Sequence, residues 1–236
     1  MNATPVISIG NNSRPNSTHI FSKSKSNETT IKHWGQELAA ILKAFSSPVI
    51  IRPFFEMNLS NVFEYGLGKG INSSEHIRGF RNAFRILQRE ITQHYGGVVD
   101  LSFSPSGHSE FVEYFPDEAT SAGIDIYDLF PGSWQILNPH YWEGNISAEN
   151  MLRRSLTNLA KLTNYQIPFG FWELGSITRR ADWLEQAVLL LFAVGGSFVM
   201  HFNYDKSYKN EPHEGDWRIN DSIASMYARV FAAVNI

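Results

Sequence analysis

The sequence predicts an α/β domain built on parallel strands. Two observations carry that reading. Short β-rich apolar runs alternate with longer segments of helical period, and the run PVIIRPFF at 48–55 is nearly all apolar. A strand that is apolar on both faces is one covered on both faces, as in a parallel sheet packed by helices. The runs are Pro5 to Ile9, Pro48 to Phe55, Val98 to Ser104, Ala122 to Tyr127, Ile167 to Leu174 and Ser197 to Asn203.

The helical segments follow from periodicity. From Ser74 to Tyr95, the residues Ile77, Phe80, Phe84, Leu87 and Ile91 recur at spacings of three and four, so one face is buried. Asn72 is placed to cap its start, with Glu75 three residues on, and Gly96-Gly97 supplies the stop. The same logic predicts helices over Thr30 to Phe45, with Ile31, Trp34, Leu38, Ile41 and Phe45 on the buried face, and over Ser147 to Thr163, Asp182 to Val194 and Asp221 to Ala233. Residues 10–29, rich in Ser and Asn, read as a loop.

Composition bounds the chemistry. The chain has 236 residues, enough for one domain over 1–236 but slightly short for an eight-stranded barrel, which takes roughly 250. A net charge of −3 provides no basic field for a phosphate backbone, so nucleic acid is not an expected partner. Zero cysteines exclude disulfides, thiolate metal sites and a cysteine nucleophile. No His or carboxylate cluster has metal-ligand spacing, and neither a phosphate loop nor a dinucleotide fingerprint occurs; no cofactor is expected. The apolar stretch Ala187 to Met200 is too short to span a bilayer, and MNATPVISIG lacks the charged start and apolar run of a secretory signal. Aromatic residues make up 14% of the chain, which suggests rings beyond those a core consumes. Trp134, Tyr141 and Trp142, after the fourth run, are candidates for stacking on sugar faces.

Two glutamates stand at the C-terminal ends of apolar runs, Glu56 in PVIIRPFFEMN and Glu173 in IPFGFWELGS. Enzymes of the (β/α)-barrel type place catalytic groups at that end of their strands. Glycosidic cleavage needs one carboxylic acid to protonate the leaving oxygen and one carboxylate at the anomeric carbon.

The strings themselves resemble glycoside hydrolase family 26, the β-mannanases. Pro48 to Asn58 is similar to that family's fourth-strand pattern Arg-Pro-x-His-Glu-Met-Asn, whose Glu is the acid/base. Gly123 to Tyr127 resembles its sixth strand, where the Tyr binds the nucleophile, and Glu173-Leu174-Gly175-Ser176 resembles the end of its seventh, where the Glu is the nucleophile. Phe103-Ser104-Pro105 and His201-Phe202-Asn203 fall where the family has Trp-Ser-Pro and Trp-Phe-Asn. The resemblance implies a (β/α)8 barrel, N-terminally incomplete with about six strands and starting near barrel strand three. It also implies retaining hydrolysis of a β-1,4-mannan-like polysaccharide, with oligosaccharides as related substrates, and an extracellular habit. Glu56 and Glu173 would be catalytic, Tyr127 would orient the nucleophile, and Asn58, Tyr65, Trp142 and His201 would bind substrate. The departures, Phe55 for His and His201 for Trp, fall at substrate contacts. The alternative is a glycan-binding homologue without turnover.

Three structural expectations follow. An incomplete barrel exposes strand edges and core side chains, which predicts poor stability or self-association unless another chain fills the gap. The Tyr127 hydroxyl should reach Glu173. The two catalytic carboxyls should lie about 5 to 5.5 Å apart, as in retaining enzymes. Strand alternation then turns Arg52 and Phe54 inward with Glu56, and Trp172 toward the helices.

Overall fold

A computed structural model describes residues 4–9, 21, 25–59, 74–108, 110–128, 148–177, 179–205 and 216–234. Its six strands are β1 (Val6–Ile9), β2 (Val49–Pro53), β3 (Val99–Phe103), β4 (Ser121–Asp128), β5 (Phe169–Ser176) and β6 (Phe198–His201). They form one sheet in the order β1-β2-β3-β4-β5-β6. The helices are α1 (Lys25–Leu42), α2 (Ser74–Tyr95), α3 (Ala148–Thr163), α4 (Ala181–Ala193) and α5 (Asp221–Ala233). Parallel neighbours need a crossover, and helices α1 to α4 provide it everywhere except between β3 and β4, where a short 3-10 turn at Val112–Tyr114 stands instead. This is the incomplete (β/α)8-barrel class, with six parallel strands. No helix among the described residues is long and apolar enough to cross a membrane.

The chain divides into two compact units. The first takes residues 1–106 and 110–122. Here β2 pairs in parallel with β1 (Val6 opposite Ile50) and with β3 (Val49 opposite Val99), and β3 continues onto the start of β4 (Ser102 opposite Ser121). Helix α2 buries Ile77, Phe80, Phe84, Leu87 and Ile91, as its period requires, each contributing about 1.5 to 3 kcal/mol for the large side chains. It stops at Gly96, whose φ of 76° is the left-handed conformation that ends helices.

Helix α1 departs from expectation at both ends. It begins at Lys25, inside the stretch read as a loop, and ends at Leu42. Its buried stripe runs through Asn27, Ile31, Leu38, Ala39 and Leu42, which leaves Ile41 exposed and puts Phe45 beyond the helix. Ile41 comes two positions after the buried Ala39, on the opposite side of the helix.

The second unit takes residues 107–109 and 123–236. Strand β5 pairs in parallel with β6, Gly170 opposite Phe198 and Phe171 opposite Val199, then Leu174 opposite His201. Three steps on β5 therefore match two on β6, which is a β-bulge. Helix α5 is capped by the Asn220 side chain, which accepts from the Ile223 N–H.

Candidate active site

Each unit carries one of the two glutamates, Glu56 just past β2 and Glu173 within β5. In the first unit β2 ends at Pro53, earlier than expected, and the chain turns through Phe54 and Glu56, both left-handed with φ of 54°. Non-glycine residues rarely hold that conformation, and two in three positions mark a turn that its surroundings enforce. The enforcing bonds are visible. Phe54 N–H donates to Ile9 O at 2.8 Å, and Glu56 N–H donates to Ser104 O at 2.8 Å, so the turn is stitched to the ends of β1 and β3.

Because the strand has ended, alternation no longer applies to Phe54. Its ring packs against Trp34 of α1 and Phe80 of α2, beside Phe21, rather than turning inward. Arg52, still within β2, donates to the hydroxyls of Ser104 and Ser8, and its guanidinium lies 5.8 Å from the centre of the Phe55 ring. Phe55 thus faces a buried cation.

Asn58 needs a correction. Expected to touch substrate, it has 0% exposure, and its amide is engaged with backbone. Nδ2 donates to Ser106 O at 2.9 Å while Oδ1 accepts from Ser106 N–H at 2.9 Å. A two-way amide bond of this kind fixes the loop beyond Glu56 and leaves no surface for a sugar.

In the second unit Glu173 and Tyr127 meet. The Tyr127 hydroxyl, at the end of β4, donates a hydrogen bond to the Glu173 carboxylate of β5. One residue on, Ser176 Oγ donates to Asp128 at 2.8 Å, so two side-chain bonds join the ends of these strands. Glu173 is half-buried. The β5 bulge explains a second correction. A side chain on Gly123 would collide with Trp172, and one on Gly175 would approach Tyr127 at 3.2 Å. Trp172 and Glu173 therefore share the face that carries Gly123 and Tyr127; the bulge, falling between Phe171 and Leu174, cancels the alternation that would have sent Trp172 to the helices.

Trp217 completes this half, although Asp216-Trp217-Arg218 reads from sequence as a solvated loop. It is 3% exposed, with its ring 5.2 Å from Tyr127 and 6.0 Å from Phe202. Asp216 pairs with Arg179 and Arg218, and the Trp217 backbone N–H donates to Tyr204 O at 2.9 Å, which holds the indole edge-on to the phenol.

His201, also expected at substrate, is turned inward on protein. Nε2 lies 3.0 Å from the Trp217 carbonyl, which can only accept, so Nε2 carries the proton and Nδ1 accepts from the Tyr227 hydroxyl at 2.9 Å. Burial lowers the His201 pKa, against a smaller raising effect of the Trp217 carbonyl, and pushes the Tyr227 hydroxyl up. Both nitrogens are thus engaged, and the residue latches β6 to α5. Tyr65, Trp134, Tyr141 and Trp142 lie outside the described residues. Among the described residues no group of three or more His, Asp or Glu is placed to hold a metal ion.

Solved structures with this fold include a GH26 β-mannanase from Bacteroides ovatus, BoMan26A, with TM-score 0.63 and 19% identity over 90% of this chain and 60% of that one. A GH5-4 broad-specificity endoglucanase from Ruminococcus flavefaciens gives TM-score 0.67 and 13% identity over 96% of this chain and 72% of that one. A Bacteroides ovatus GH5 xyloglucanase gives 0.64 and 12% over 96% and 55%. The likeness is one of fold, and the chain spans 60% of the mannanase's length. No family model matches the sequence, and a search of curated proteins found no significant match.

Proposed function

We propose that this chain hydrolyses β-glycosidic bonds with retention, acting on a β-1,4-mannan-like polysaccharide as a family 26 type enzyme. The observation that carries the reading is the hydrogen bond from Tyr127 to Glu173. A phenol hydroxyl held on a half-buried carboxylate of β5 keeps that carboxylate in one orientation, ready to attack. Glu173 attacks the anomeric carbon while Glu56 gives its proton to the leaving glycosidic oxygen. Glu56, now a base, takes a proton from water, which releases the sugar from Glu173 with its original configuration. Support for the mannan-type substrate comes from the Glu56, Tyr127 and Glu173 strings and from the mannanase among the fold's neighbours.

One observation favours a second reading, a glycan-binding protein without turnover: Phe55 and His201 depart from the family, and His201 has both ring nitrogens engaged with protein. Reducing-sugar release from galactomannan, glucomannan, mixed-linkage glucan and xylan, compared with binding to each, separates the two. Hydrolysis should be greatest on the mannans. Binding without release would establish the second reading, and neither binding nor release would end both.

A further inference from the structure

His108 belongs to no motif of the sequence, yet it touches the residue that holds Glu173. It lies in the turn after β3 and has 0% exposure. The neighbouring backbone is tied to β4 and α3, because Gly107 N–H donates to Asp125 O at 2.8 Å and Ser155 Oγ donates to Gly107 O at 2.5 Å. Two residues along β4 from Asp125, the backbone N–H of Tyr127 points at His108 Nε2, 2.9 Å away. An amide N–H can only donate, so Nε2 carries the lone pair and the proton sits on Nδ1, which lies 2.8 Å from the Met151 sulfur, a weak acceptor. The imidazole and phenol planes are within 9° of each other, with ring centres 6.1 Å apart.

We propose that His108 is a positioning residue: as the neutral Nδ1–H tautomer it accepts from the Tyr127 amide and lies parallel to the Tyr127 ring, and so aims the phenol hydroxyl at Glu173. The consequence for turnover rests on the reading of Glu173 as nucleophile; the positioning itself does not. An imidazolium here would oppose one N–H to another and break the contact. Burial lowers the His108 pKa to about 3, which keeps the ring in its accepting form at ordinary pH. A tyrosine amide at a strand end would ordinarily bond to a neighbouring carbonyl. The imidazole does the same and adds a flat wall beside the phenol, which a carbonyl cannot.

The test uses His108→Phe, which keeps a ring and removes the acceptor, and His108→Gln, whose Oε1 stands near the position of Nε2. In the active protein, His108→Phe should lower kcat about tenfold or more with KM changed less than about twofold, and His108→Gln should recover most of the loss. Equal stability losses in both variants with kcat per folded molecule unchanged would overturn the proposal. Two NMR measurements need no turnover. Imidazole nitrogen shifts should report a neutral Nδ1–H ring from about pH 5 to 8. The Tyr127 hydroxyl proton should exchange slowly in the wild type and in His108→Gln, and faster in His108→Phe. An Nε2–H tautomer, or hydroxyl exchange unaltered by His108→Phe, overturns the positioning role whether or not any glycan is cleaved. If the wild type cleaves none while these NMR results hold, the hydrolase reading falls and the positioning stands. Should His108→Phe fail to fold, His108→Asn, too short to reach the Tyr127 amide, takes its place in both measurements.

Discussion

The backbones that carry the two glutamates differ, a stitched turn just past β2 for Glu56 and strand β5 for Glu173. The backbone at Glu56 is held by a turn with two left-handed residues, a hydrogen bond to Ser104 O and a carbonyl that accepts from Leu59 N–H, with Asn58 clasping the loop beyond. Glu173 is placed within a strand, its carboxylate is gripped by the Tyr127 hydroxyl, and Tyr127 is itself fixed by His108 and Trp217. On the proposed reading a nucleophile must keep one orientation, and a side-chain donor serves that. An acid/base must gain and lose a proton in every cycle, and on the proposed reading a turn stitched to its neighbours keeps Glu56 in place throughout.

The largest effects should fall on the glutamates and should differ in kind. Glu173→Ala and Glu56→Ala should each lower activity by about three orders of magnitude or more. With azide and a substrate bearing a good leaving group, Glu173→Ala should give the glycosyl azide of inverted configuration and Glu56→Ala the retained one. The reverse assignment of products would exchange the two roles. Next in size is Tyr127→Phe, for which kcat should drop about tenfold to a hundredfold with KM little changed. A matching loss of substrate binding would make Tyr127 a sugar contact instead.

Smaller effects sharpen the contrast through stability. Asn58→Ala leaves the Ser106 amide and carbonyl without their buried partner and should cost about 1 to 3 kcal/mol in urea unfolding. A raised KM at unchanged stability would restore Asn58 as a substrate contact. On the Glu173 side, the His108 pKa falls from 6.5 to about 3 on folding, so the unfolded chain binds a proton there that the folded one does not. Stability from this group is present above about pH 6.5 and declines as pH falls toward 3, by up to about 1.4 kcal/mol per pH unit. His201, also lowered by burial, acts in the same direction. His108→Gln should flatten the acid slope by about one proton; an unaltered slope would show that His108 does not titrate on unfolding.

Much of the fold was legible because apolar runs and helical periods are local signals. All six strands lie where the runs lie, and α2 and α5 match their expected ends. Alternation misled wherever the backbone left its regular path: at Phe54, where left-handed φ ends β2 early, and at Trp172, where a bulge adds a residue. Neither event has a glycine or proline signature at the residue concerned. Asn58 and His201 read as substrate contacts because their motif positions imply it, whereas their actual partners are long-range backbone and tyrosine groups. His108 and Trp217 carried no signal, since their importance comes from the rings that the fold sets beside Tyr127.

The most direct measurement is covalent trapping. Activated 2-deoxy-2-fluoro-β-glycosides of manno and gluco configuration slow release of a glycosyl-enzyme, so intact mass should rise by one fluoroglycosyl group and peptide mapping should place it on Glu173. Tyr127→Phe should label more slowly and Glu173→Gln not at all. An unlabelled wild type, under conditions that label a known retaining enzyme, or a label on any other residue would contradict Glu173 as the nucleophile.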